Sequence, residues 1–260
     1  MDIKELEEKI RAHDWDALDI VDLAADKTKA LPVLKELTGD PDAETREIAY
    51  NCVALVAGEQ ALSVIATALR DESEDIRSFA LQTLQATDNG PILGELESNL
   101  DSEDAAVRGN VALLIGRVDR ESASEALRKR LEVEQDEQVQ RGIKLALARL
   151  GDSEMKDLFA SQFDVDDSEV RLKAISDLRY IGDPKLTVRV LPALDDTRQA
   201  HLITDKNQPV PKYARVCDAV VNLVAELHNN PFSFEVDGFK IYSQQEIAQV
   251  KEFLTKQGAQ

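Results

Sequence analysis

The sequence is poor in the residue types that metal and redox sites require. Its 260 residues include two cysteines, Cys52 and Cys217, and three isolated histidines, His13, His201 and His228. It contains no CxxC, no HExxH and no mixed His/Cys cluster, which argues against a zinc site. Two distant cysteines argue against a disulfide scaffold and fit a reducing compartment. We expect no cofactor and no metal.

Phosphate-binding and catalytic motifs are also missing. The sequence has no GxGxxG, no GxxxxGK[ST] and no GxSxG. Acidic turns such as DPDAE and DVDDSE resemble calcium loops, but they lack the EF-hand glycine and the distal glutamate. Carboxylates are so abundant that no pair stands out as a general acid and base. The sequence therefore predicts a protein that is not an enzyme.

Charge of one sign dominates, with 50 acidic against 31 basic residues and a formal net charge of -19. Phosphate backbones would be repelled, so nucleic acid is not an expected partner. No apolar run approaches 18 residues, and the start MDIKELEEKI has no hydrophobic region typical of a secretory signal. We expect a cytoplasmic protein without a membrane association. A surface this acidic should associate quickly with a basic protein, although the charge could also serve solubility alone.

The sequence is organised by a repeat of 31 or 32 residues. Four columns recur at positions i, i+4, i+8 and i+11 of each unit, which is the spacing of one helix face. The first column is Thr45, Ile76, Val107, Val139 and Val170, and the second is Ala49, Ala80, Val111, Ile143 and Ala174. An upstream apolar helix, an acidic turn and then the helix with these columns make up each unit.

Two polar columns flank each turn. Asp42, Ser73, Asp104, Asp136 and Asp167 stand where N-caps are expected, and Pro32, Pro91 and Pro184 stand near the starts of upstream helices. Four residues after each cap comes Arg46, Arg77, Arg108, Gln140 or Arg171. We expect i, i+4 pairs between cap and arginine, strengthened where repeats stack. The alternative is a row of arginines that binds anions.

The unit L-x-x-L…D-x-x-VR-x-x-A-x-x-x-L-x-x-x-G resembles HEAT-like repeats, in particular the short type named after phycobilisome lyases. This resemblance implies an all-α, right-handed α-solenoid of about six to seven helix pairs, in which stacked pairs share one core. Residues 1–260 would then form a single domain, with regular repeats over 29–194. We expect a monomer.

Both ends depart from the repeat. Residues 1–28 read as an N-terminal cap in which Trp15, Leu18 and Leu23 cover the first repeat. Residues 195–211 read as an inserted loop, either tolerated or functional. Residues 212–260 hold the last repeat and a C-terminal cap, where FSFEV and FKIY around Asp237–Gly238 predict a short β-hairpin. This cap seals the core or, as an alternative, forms a peptide-binding lip. Ser243 and Glu246 predict a capping box for the last helix.

In a solenoid of this kind, the second helix of each pair lines the concave face. Gly109, Gly116 and Gly142 lie inside predicted second helices, where close approach of a partner backbone or tight stacking of repeats would explain them. The predicted partner-binding residues, on this face and around the insertion, are Tyr50, Asn51, Gln82, Gln85, Leu113, Arg141, Lys144, Arg179, His201, Lys206 and Tyr213.

Two functions follow as expectations. The first is a protein-binding adaptor, scaffold or inhibitor, such as an immunity protein, that receives a basic partner on its concave face. The second follows from the resemblance, which implies a bilin lyase-like or chromophore-handling protein. A bilin would need basic residues for its propionates beside an apolar slot, and Arg141, Lys144 and Arg179 near Leu113 are the candidates.

Overall fold

The computed structural model describes residues 2–56, 58–118, 121–203 and 212–258. The chain divides into two compact units, Met1–Ala146 and Leu147–Gln260. Within the described residues, no helix is both long enough and apolar enough to cross a membrane. The single-domain organisation expected from the repeats stays a prediction.

Helix pairs build the first unit, with an odd-numbered first helix and an even-numbered second helix in each pair. Its helices are α1 (Ile3–Arg11), α2 (Ala17–Asp22), α3 (Leu31–Leu37), α4 (Ala43–Ala54), α5 (Glu59–Thr67), α6 (Glu74–Gln85), α7 (Leu93–Asn99), α8 (Ala105–Ile115), α9 (Glu121–Val133) and α10 (Glu137–Arg149). Short 3₁₀ segments at Lys27–Ala30, Ala68–Arg70 and Gly90–Ile92 adjoin α3, α5 and α7.

The second unit continues the pairs and adds a small sheet. Its elements are α11 (Ser153–Ala160), α12 (Ser168–Ile181), β1 (Gln199–Ile203), β2 (Lys212–Arg215), α13 (Val216–Leu227) and α14 (Gln244–Gly258). A 3₁₀ segment, Pro184–Asp195, stands where the first helix before α13 would be. β1 and β2 pair antiparallel, with His201 opposite Ala214 and Ile203 opposite Lys212.

The recurring columns form the core, as the repeat predicts. In α6, Ile76, Ala80 and Leu84 are at most 1% exposed. The corresponding Val107, Val111 and Ile115 of α8 are buried as well. Because burying one large aliphatic side chain contributes about 1.5–3 kcal/mol, this repeated column stabilises every helix pair in which it occurs. The all-α, HEAT-like class expected from the sequence is confirmed.

Aspartates cap the second helices at the predicted column. The Asp42 carboxylate accepts from the Thr45 N–H at 2.8 Å, and Asp104 accepts from Ala106 at 2.8 Å. Asp136 and Asp167 make equivalent bonds to the first turns of α10 and α12. Ser73 occupies the N-cap of α6, but its side chain makes no capping bond.

The arginine column has a different partner from the one expected. Arg46 makes a two-point contact with Asp71, Nε to Oδ2 at 2.9 Å and Nη2 to Oδ1 at 2.8 Å. Arg108 contacts Glu134 in the same way, and Arg171 donates to Asp196 at 2.8 Å. The expectation of i, i+4 pairs was therefore wrong, because the guanidinium crosses to the turn of the next pair, where a buried carboxylate lies 25 or 26 residues on.

Different residues from those expected close the N-terminal end. Leu6, Ile10, Ala17 and Val21 are fully buried, whereas Trp15 is 44% and Leu23 84% exposed. The expectation that Trp15 and Leu23 cover the first repeat was wrong. The heptad-like positions of α1 supply the apolar face instead, since Leu6 and Ile10 lie one turn apart on the helix.

No β-hairpin forms around Asp237–Gly238 in residues 229–243, all of which the structure describes. Residues 229–243 form turns and irregular backbone, and the chain's strand pair lies at β1 and β2. Side chains satisfy the backbone of this segment in place of a cross-strand partner: Asp218 of α13 accepts from the Tyr242 N–H at 2.9 Å, and Lys240 donates to the Glu235 carbonyl. The predicted capping box is confirmed, since Glu246 accepts from the Ser243 N–H at 2.8 Å.

Candidate binding clefts

One cleft lies between the second helices α8 and α10 of the first unit. This α8–α10 cleft, about 400 Å³, is lined by Gly109, Leu113, Arg141, Gly142 and Leu145 among others. Leu113 and Leu145 occupy equivalent positions in successive repeats. The structure therefore brings together two of the predicted binding residues, Leu113 and Arg141, beside an apolar floor.

Two glycines allow the close contact of α8 with α10. A Cβ added at Gly142 would lie 3.6 Å from the Gly109 carbonyl oxygen and 3.9 Å from its Cα. A Cβ at Gly109 would meet only the Val139 Cγ2, at 4.0 Å. This contact favours tight stacking of repeats as the reason for the two glycines. Gly116 is the C-cap of α8.

The second-helix face changes character along the first unit. Glu47 of α4 and Asp75 of α6 carry negative charge at its start. At the equivalent positions α8 has Gly109 and Ala106, and α10 has Arg141 and Gln138. The face thus passes from acidic through small and apolar to basic.

Tyr50 does not lie on the second-helix face, where it was predicted. Its side chain is 4% exposed, and its hydroxyl lies 3.0 Å from the Thr67 Oγ1 at the end of α5. Because Tyr50 follows Arg46 by four residues, both side chains turn toward the next helix pair rather than onto the second-helix face. Burial raises the pKa of Tyr50.

The other predicted residues of the first unit have local roles. Asn51 donates to the Glu47 carbonyl of its own helix at 2.9 Å. Gln82 and Gln85 are exposed on α6, and the Gln85 carbonyl accepts from Arg117. Lys144 is half-buried on α10. Asn51 and Gln82 occupy the same repeat position as Leu113, so they belong to the same face.

The predicted residues of the second unit do not form a described site. Arg179 of α12 donates to Glu226 of α13 at 2.6 Å. His201 lies on β1 and Tyr213 on β2, and their side chains are outside the described residues, as is Lys206 entirely. Of the expected insertion at 195–211, residues 199–203 form β1.

Sequence reasoning missed a second, larger cleft of the first unit. This α3–α5 cleft, about 960 Å³, is lined by Leu31, Pro32 and Lys35 of α3, by Ser63, Val64 and Thr67 of α5 and by Tyr50 among others. Glu95 of α7 also belongs to the lining. The signal was weak, because its hydroxyl residues come from both first and second helices and do not recur at one repeat position. In the described parts of the chain, no group of three His, Cys, Asp or Glu residues could hold a metal ion.

Comparison with known proteins supports the class that the helix pairs define. Residues 93–179 match the family model described as HEAT repeats, and the helix pairs of the described residues are consistent with a HEAT-like repeat class. HEAT repeats commonly mediate protein–protein interaction and are generally not enzymes.

Individual relatives add little to this class. No curated protein matches the chain. Among solved structures 29 chains match. One is a crystal structure of an engineered protein that is 13% identical, covering 88% of this chain and 98% of its own, with a TM-score of 0.36.

Proposed function

We propose that this chain is a non-enzymatic protein-binding module, an adaptor, scaffold or inhibitor of the immunity type, which receives a basic protein on the second-helix face of its first unit. The observation that carries the proposal is the distribution of charge. Three arginines of the repeat column, Arg46, Arg108 and Arg171, are paired with internal carboxylates, as in Arg46–Asp71 and Arg108–Glu134. Each such pair is neutral, so the formal net charge of -19 resides in the remaining, mostly exposed carboxylates.

The α8–α10 cleft supplies the contact surface in this proposal. Leu113 is half-buried and lines the cleft together with Leu145, Gly109 and Gly142. An apolar side chain of the partner fits there, while basic residues of the partner face Glu47 and Asp75. Charge would set the association rate, and the apolar contact would hold the complex.

The compartment and the oligomeric state of the protein belong to the same proposal. Both cysteines are unpaired and buried, which supports a reducing compartment such as the cytoplasm. We expect a monomer that contacts neither nucleic acid nor membrane, since the acidic surface repels phosphates.

A matched pair of variants tests the proposal in capture experiments from the source cells. Leu113→Arg places a cation in the α8–α10 cleft, and Val133→Arg places the same charge on α9, where Val133 is 61% exposed. We expect the wild type and Val133→Arg to retain a basic protein that Leu113→Arg loses. Raising the salt well above about 0.1 M should also release it, because exposed charges are then screened. An acidic partner, or equal loss in both variants, would refute the proposal.

One observation also supports the chromophore-handling alternative, since Arg141 and Leu113 line the same cleft. Arg179, the third basic candidate, belongs to the second unit and pairs with Glu226. Mixing the protein with a free bilin checks this alternative. A shift of visible absorption that Leu113→Arg abolishes would favour it, and an unchanged spectrum would dismiss it.

A further inference from the structure

The α3–α5 cleft is lined by hydroxyl groups whose hydrogens are already used. Five of its residues carry a hydroxyl: Thr28, Thr38, Tyr50, Ser63 and Thr67. Thr38 donates to the Lys35 carbonyl at 2.9 Å, and Thr67 donates to the Val64 carbonyl at 2.7 Å. A carbonyl oxygen can only accept, so the direction of both bonds is fixed.

The acceptors of the other three hydroxyl hydrogens can be assigned as well. Since the Thr67 hydrogen is committed, the bond of 3.0 Å between Tyr50 and Thr67 is donated by Tyr50. Ser63 donates to the Glu95 carboxylate at 3.0 Å, and Thr28 donates to the Asp26 carboxylate at 2.6 Å. The hydrogens of all five hydroxyls are therefore used within the protein, so these oxygens can offer a ligand only lone pairs.

One of the two charged residues at the cleft adds a further hydrogen-bond acceptor. Among the described lining residues, Glu95 is the one carboxylate and Lys35 the one cation, and they come from α7 and α3. The Glu95 side chain has a second oxygen besides the one that Ser63 occupies. Leu31, Pro32 and Val64 contribute apolar surface to the same lining.

We propose that the α3–α5 cleft binds an organic cation, a guanidinium or alkylammonium group on an aliphatic stem. Such a group brings several N–H donors and no acceptor, which matches a wall of hydroxyl oxygens and a carboxylate. The stem lies on Leu31, Pro32 and Val64 while the charged head reaches Glu95. A volume of about 960 Å³ accommodates an arginine or lysine side chain with its neighbouring peptide groups.

This site shares no lining residue with the α8–α10 cleft, so its failure and the failure of the proposed function are separate results. The cation has two sources, a free small amine or a basic side chain of a peptide. Agmatine represents the first source, and a capped tetrapeptide of alanines with one arginine represents the second. Tighter binding of the tetrapeptide would identify a protein ligand, and tighter binding of agmatine a metabolite.

Calorimetric titration with N-acetylarginine amide tests the proposal, with the citrulline analogue as its neutral control. We expect the arginine compound to bind and the citrulline compound to bind more weakly. Glu95→Gln should weaken binding by up to about fivefold, the value of one exposed charge pair. Lys35→Gln should strengthen it by a similar factor, because it removes the opposing charge. Both side chains are exposed, so circular dichroism should show unchanged folding.

The signs of these two changes decide the result. An anion site would show the reverse, with Lys35→Gln weakening and Glu95→Gln strengthening the binding of acetate. Equal binding of the arginine and citrulline compounds would mean that the cleft does not recognise charge. Either result, or no binding at millimolar concentrations, overturns the proposal.

Discussion

At the scale of single residues, buried carboxylates in the turns connect neighbouring helix pairs. The Asp71, Glu134 and Asp196 side chains are at most 6% exposed, and each accepts from an arginine of the preceding pair. Hydrogen bonds from Arg108 hold the pKa of Glu134 well below its usual range. Burial raises the pKa of Asp71, but the hydrogen bonds from Arg46 and from the Ser73 N–H outweigh it, so the pKa is lowered.

Arg46 and Arg77 offer a matched comparison of this contact. Both donate through Nη1 to two carbonyls of a nearby turn, but Arg46 also holds the Asp71 carboxylate. Arg46→Ala leaves a nearly buried charge without its partner, so we expect a loss of about 3 kcal/mol in the free energy of unfolding. Arg77→Ala should cost about 1 kcal/mol. Urea denaturation measures both, and equal losses would show that the carboxylate adds nothing.

At the scale of helices and turns, the sequence predicts most of what recurs. Periodic columns such as Val107, Val111 and Ile115 identify the second helices because burial on one face has the helix period. The caps are predictable because an aspartate at the start of a helix acts locally. The partner of Arg46 is not predictable in this way, because residues 25 apart meet only after two helices have packed.

The missing hairpin and the clefts have the same explanation. Alternation in residues 232–242 suggests strands, but Asp218, 24 residues before Tyr242, takes up its backbone N–H. The α8–α10 cleft is partly readable, since Leu113 and Arg141 lie on one predicted face. The α3–α5 cleft cannot be predicted from the sequence, because Tyr50 contributes to it from α4 and Glu95 from α7.

The glycines of α8 and α10 allow a prediction about stability and binding together. Gly109 has helical backbone, and a Cβ there would lie in ordinary contact with Val139. Gly109→Ala should therefore raise the free energy of unfolding by roughly 0.5–1 kcal/mol, through the lower backbone entropy of alanine in the unfolded chain. The same methyl group enters the α8–α10 cleft, so partner capture should weaken. Thermal denaturation measures the change in stability, and capture of the partner measures the change in binding. A destabilised variant would show that α8 and α10 cannot move apart enough to accommodate the methyl group.

At the scale of the whole molecule, the organisation into one or two folding units is open to experiment. Repeat arrays gain stability from each neighbouring interface, and a continuous array unfolds in one transition when these interfaces are strong. The repeat pattern predicts this behaviour for residues 1–260, whereas contacts divide the chain near Ala146.

Variants in each unit distinguish these possibilities. Arg46→Ala acts in the first unit. Asp218→Asn acts in the second, where the buried carboxylate accepts from Arg215 and from the Tyr242 N–H. If the chain is one domain, both variants should lower the same single midpoint in urea denaturation followed by circular dichroism. Two transitions, each moved by only one variant, would contradict the single-domain prediction.

The two buried cysteines make local opening of the structure measurable. Cys52 belongs to the first unit and Cys217 to the second, and both thiols are fully buried. Burial raises the pKa of Cys52 to about 12, and it raises the pKa of Cys217 as well. A thiol in this state is alkylated only after the helices around it have opened, since the reactive thiolate needs water. The rates at which an alkylating reagent labels these two sulfur atoms therefore report the opening of each half of the chain separately, without an engineered probe.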